Sequence, residues 1–85
     1  MQLTLPFWFK MRQGKAEAAG DNVYKLIAPN LPETFISVRR DGDGWKGVVR
    51  SSADGPDTLT GEVGYPNLPD AWNAAFELYR NAVVI

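Results

Sequence analysis

The sequence predicts a two-layer α+β domain: an antiparallel sheet of four to five strands with one C-terminal amphipathic helix packed on one face. Three observations carry this reading. Apolar and polar residues alternate from Gln2 to Arg12. Two β-rich runs, Thr34 to Arg40 and Trp45 to Ser51, flank the turn string Asp41-Gly42-Asp43-Gly44. A single helix-spaced apolar stripe, Leu68, Trp72, Ala75, Phe76 and Tyr79, follows a capping asparagine. A chain of 85 residues is one domain, 1–85, and so small a fold buries only about 60–65% of its extended surface, so its core must be dense. With 45% apolar and 12% aromatic residues, the composition can supply that core.

From Gln2 to Arg12, Leu3, Leu5, Phe7, Phe9 and Met11 fall on one side and Gln2, Thr4, Pro6, Trp8, Lys10 and Arg12 on the other, which predicts a half-buried strand. Pro6 has no backbone donor and places that strand at an edge or a bulge. Gln13 to Asp21, with Gly14, Gly20 and the run Lys-Ala-Glu-Ala-Ala, reads as a connection, since one helical turn is too short to stand alone. Asn22 to Ala28 predicts a second strand, apolar on both faces and therefore central.

Pro29-Asn30-Leu31-Pro32 ends that strand, and the same tetrapeptide recurs at Pro66-Asn67-Leu68-Pro69. The flanks share nothing further, so common turn and cap chemistry accounts for the recurrence better than an internal repeat. In the hairpin, Ile36 and Val38 face the core with Trp45, Gly47 and Val49. Ser37, Arg39, Lys46, Val48 and Arg50 point outward. A calcium-loop reading of Asp41-Gly42-Asp43-Gly44 fails, because Ser52 stands where a twelve-residue loop needs its glutamate and Trp45 where it needs an oxygen ligand. Residues 51–64 are polar and rich in Gly and Asp; they suit either a loop or a weak edge strand from Thr58 to Val63. Asn67 then caps the helix, with Pro69 in its first turn and Asp70 near its positive end. Burying Trp72 and Phe76 contributes about 2–3 kcal/mol each. The β-branched end, Ala82 to Ile85, predicts a short terminal strand.

The chain contains no histidine and no cysteine. Zinc sites, Cys-His pairs and Ser-His-Asp triads are thereby excluded, and a disulfide framework with them. Catalysis would need a carboxylate such as Glu62 or Asp70 with a raised pKa, and nothing in the residue order marks one; the reading is a non-catalytic protein with no cofactor and no metal. No basic residue precedes the first apolar run and no stretch approaches a membrane span, so the expectation is a soluble cytoplasmic protein with no membrane partner.

Net charge is −1, but residues 1–50 hold eight Lys/Arg against five Asp/Glu, whereas 51–85 hold Arg80 against five acids. A single helix leaves one sheet face without an intramolecular cover. Trp8, Lys10, Arg12, Lys25, Arg39, Lys46 and Arg50 are the candidate interaction face on that side. The first expectation is a protein–protein interaction module or homo-oligomer that uses this face and the edge strand near Trp8. The alternative is a basic sheet with an aromatic platform that binds nucleic acid. Finally, Gly44-Trp45-Lys46-Gly47-Val48-Val49 in a second strand, with Asp70-Ala71-Trp72-Asn73-Ala74-Ala75 opening the helix, resembles the partial ribonuclease-H-like domain of HicB antitoxins over residues 35–85. That resemblance implies a non-catalytic protein that binds and blocks a small toxin.

Overall fold

The computed structural model describes residues 4–52, 55–61 and 64–84. A short helix α1 (Phe7–Met11) leads into five strands: β1 (Lys15–Gly20), β2 (Val23–Ile27), β3 (Thr34–Asp41), β4 (Gly44–Arg50) and β5 (Asp57–Thr60). Helix α2 (Leu68–Tyr79) and a π-helical turn (Arg80–Val84) complete the chain. The strands form one antiparallel meander in the order β1-β2-β3-β4-β5, and the C-terminal helix covers one face, as the residue pattern predicts.

The β3–β4 hairpin holds its expected register, with Ile36 opposite Val49, Val38 opposite Gly47 and Arg39 opposite Lys46. Gly42 takes the positive φ of 59° that the tight turn requires. Asn67 caps α2 through its side-chain oxygen, which accepts the Asp70 N–H at 3.0 Å, satisfying one orphan donor of the first turn. The helix then lies directly on β4: a Cβ at Gly47 would stand 2.5 Å from the Ala75 nitrogen and 2.9 Å from the Ala71 carbonyl oxygen. Leu26, Ile36, Val38 and Val49 from the sheet pack against Ala71, Trp72, Ala75, Phe76 and Tyr79.

Three expectations are corrected. Residues 7–11 form α1 rather than continuing a strand; of the expected strand, Gln2 and Leu3 lie outside the described residues. Extended Pro6, which needs no donor, precedes the helix. The helical turn lets the consecutive Trp8 and Phe9 reach the same aromatic cluster, with Phe9 against Phe76 at 5.6 Å and Trp8 stacked on Tyr79 at 6.2 Å between ring centroids. A strand would send those neighbours to opposite faces. So short a helix stands on this packing and not on propensity.

Residues 15–20, expected as a connection, are edge strand β1, paired with β2 across a turn in which Asn22 adopts φ 55°. Alanine is a poor strand former, but the ladder to β2 and the contact of Ala16 with the core outweigh that preference. The chain end is a π-helical turn and not a strand: Arg80 keeps right-handed helical angles and Val83 packs against the core, with no Gly or Pro to stop the helix at Tyr79. Ile85 lies outside the described residues. Of the two readings of residues 51–64, the weak edge strand expected from Thr58 to Val63 is present as β5, Asp57–Thr60, with Glu62 and Val63 outside the described residues.

Candidate functional site

Strand alternation brings four of the seven candidate residues together. Lys25 on β2, Arg39 on β3, and Lys46 and Arg50 on β4 share the face opposite α2. On that face each meets a carboxylate: Lys25 is 2.8 Å from Glu33, Lys46 3.5 Å from Asp41, and Arg50 donates to Asp57 at 2.9 Å, which also pairs with Arg39. The hydrogen bond and charge of Glu33 raise the Lys25 pKa. The Arg39–Asp57 pair spans from β3 to β5 across β4, between Lys46 and Arg50 in the register, which is over Val48. Outward-pointing Val48 is accordingly 0% exposed although it lies outside the main core, and its neighbour Ser37 is also buried. From β2 to β5 the cations of the outer face are paired with carboxylates of the same chain.

The other three candidates lie elsewhere. Trp8 belongs to α1 and sits in the helix layer, half-buried between Phe9, Phe76 and Tyr79, with the Arg80 guanidinium 5.5 Å from its ring centroid. Lys10 and Arg12 are exposed on the same short helix and its C-terminal flank. Placing Trp8 on the outer face with the cations is therefore corrected, because that placement depended on a strand where the chain is helical.

The same change of period exposes two residues that alternation assigns to the core. Phe7 is 76% and Met11 69% exposed, four residues apart and thus neighbours on one side of α1. Lys10, Arg12 and Lys15 stand near them in the chain, and none makes an ion pair among the described residues. A three-residue turn at 12–14 joins α1 to β1, and Gly14 lies so close under Phe9 that a Cβ there would be 2.5 Å from its ring. β1 has a partner on one side only. Exposed apolar side chains, unpaired cations and an open strand edge thus all lie within residues 7–20, at the corner where α1 runs into β1. The signal in the sequence was the run Phe7-Trp8-Phe9 after Pro6, three successive aromatics that break strict alternation.

Shallow grooves open at the surface, and one of them flanks α2. That one, of about 330 Å³, is lined by Gly61, Tyr65, Asn73, Ala74, Glu77 and Leu78. Of the carboxylates singled out for catalysis, Asp70 is exposed in the first turn of α2 and Glu62 lies outside the described residues. Among the described residues no group of three or more acidic side chains is placed to hold a metal ion, and no helix is long and apolar enough to cross a membrane. No family model, curated protein or solved structure matches this chain.

Proposed function

We propose that this chain is a small non-catalytic protein–protein interaction module that engages its partner at the corner made by α1 and the free edge of β1. The observation that carries the reading is the exposed pair Phe7 and Met11 beside an unpaired strand edge. Full burial of two such side chains contributes about 1.5–3 kcal/mol each, and a strand edge offers backbone donors and acceptors for further bonds. The seven-residue face is narrowed accordingly, since Lys25, Arg39, Lys46 and Arg50 already bind carboxylates of their own chain. The lack of cysteine fits a reducing, cytoplasmic setting.

The alternative, nucleic-acid binding by the outer face, rests on those four cations sharing one side of the sheet. It requires phosphates to displace Glu33, Asp41 and Asp57. A HicB-like role is a special case of the module, with a small toxin as the partner.

One experiment separates these readings. Tagged wild-type chain, Phe7→Ser/Met11→Ser and Arg39→Glu are each used for capture from the source lysate, with and without nuclease, after circular dichroism has shown that each variant folds. A protein that survives nuclease, including an untagged copy of the chain, and is lost with the Phe7/Met11 variant alone supports the module. Nucleic acid retained by wild type and lost with Arg39→Glu replaces it with the alternative.

A further inference from the structure

We infer that the occupant of this corner is a second copy of the chain, joined edge to edge through β1 in antiparallel register about a two-fold axis at Ala16. The inference rests on the interaction-module reading and names its partner.

The two edges of the sheet are guarded differently. β5 is four residues long and Asp57 within it is held by two arginines, whereas β1 runs for six residues and contains no proline. Its irregularity against β2 falls between Ala18 and Gly20, so Lys15 to Ala18 form a regular edge. Ala16 and Ala18 are too small to obstruct an approaching strand. Edges are commonly protected by charge, most strongly where pairing would set like charges opposite each other. Here they attract. Lys15 and Glu17 lie two residues apart and share the outer face of the sheet. Antiparallel pairing centred on Ala16 sets Lys15 of one copy opposite Glu17 of the other, and the two-fold axis repeats the contact.

Both groups are available. Lys15 makes no ion pair among the described residues, and Glu17 faces Lys25, whose ammonium is bonded to Glu33. A two-fold perpendicular to the sheet keeps both helix layers on one side. The five-stranded sheet of each copy then extends into that of the other, and the two α1 helices flank the axis, where Phe7 and Met11 are the apolar surface at hand for burial. An unpaired edge, a self-complementary charge pair and an exposed apolar pair, three independent features of one corner, are satisfied by the same partner.

The test is sedimentation equilibrium of the full chain over a concentration series, with Lys15→Glu, Glu17→Lys, the exchanged pair Lys15→Glu/Glu17→Lys, and Phe7→Ser/Met11→Ser. Wild type should approach twice the monomer mass of 9.4 kDa. Each single reversal turns two attractions into two repulsions and should weaken the dimer about tenfold, while the exchanged pair restores it. Phe7→Ser/Met11→Ser should weaken it further. Circular dichroism checks that every variant folds. A chain monomeric throughout the series overturns the inference but leaves the module reading intact if capture of another protein still depends on Phe7 and Met11. A dimer unmoved by the single reversals, or one that the exchanged pair fails to restore, overturns it as well.

Discussion

On the helix side of the sheet, Ile36 and Val49 are sealed by Trp72, Phe76 and Tyr79, whereas on the outer side Val48 is sealed equally well by a bridge of Arg39, Asp57 and Arg50. The first cover is non-directional: area removed from water and dense aromatic packing hold it, and salt scarcely changes it. The second is directional and local. It depends on one carboxylate shared by two guanidinium groups whose span in the register crosses a fully buried valine. A chain with one full-length helix can thus close both faces of its sheet, the second with ion-paired side chains in place of another layer.

Phe76→Ala removes a side chain that touches both α1 and the sheet layer, and should cost about 3–5 kcal/mol. Urea titration should give that loss equally at low and high salt; a marked salt dependence would mean that the core is not what Phe76 holds.

On the outer side, Asp57→Ala removes the carboxylate that Arg39 and Arg50 share and loosens the cover of Val48, with an expected loss of about 1–2 kcal/mol. Because Arg39 is half-exposed, part of the wild-type advantage should fade with added salt, so the gap between variant and wild type narrows. An unchanged gap would show that burial of Val48, and not the charges, supplies the effect.

The Tyr79 hydroxyl is buried with no hydrogen-bond partner among the described residues, and burial raises its pKa, partly offset by the nearby Arg12 guanidinium. The unfolded chain releases this proton near pH 10 while the folded chain retains it, so the contribution of the protonated phenol is complete below about pH 10 and is lost as pH rises through the folded value. Tyr79→Phe should therefore flatten the alkaline fall in stability and gain about 1 kcal/mol at neutral pH, where it removes an unpartnered buried hydroxyl. Urea midpoints at neutral and alkaline pH measure both; a loss at neutral pH would mean that the hydroxyl has a partner.

Much of the candidate surface was legible only in part. Period-two alternation places Lys25, Arg39, Lys46 and Arg50 on one face because strand geometry requires it. Their carboxylate partners come from a loop, a strand end and another strand, at separations that no local pattern encodes. Phe7, Met11 and Trp8 were misplaced together, since changing the period from strand to helix moves each of them to a different side.

The recurrent tetrapeptide marks the boundary. Asn30 takes the left-handed φ of 65° in a turn, whereas Asn67 is extended at φ −132° and caps α2. The tetrapeptides are identical, so the outcome follows from what surrounds them. By itself the sequence determined the elements whose signals are strong and local: the hairpin at 34–50, from alternation around a Gly-containing turn, and α2, from a cap followed by a helix-spaced apolar stripe. Tertiary structure decided the weakly biased segments. Residues 7–11 are helical because Phe9 and Trp8 must reach one aromatic cluster, 15–20 are a strand because β2 offers a ladder, and 80–84 continue the helix because Val83 packs against the core. Propensities in segments this short amount to about 1 kcal/mol or less per residue, and burial of a single large side chain exceeds that.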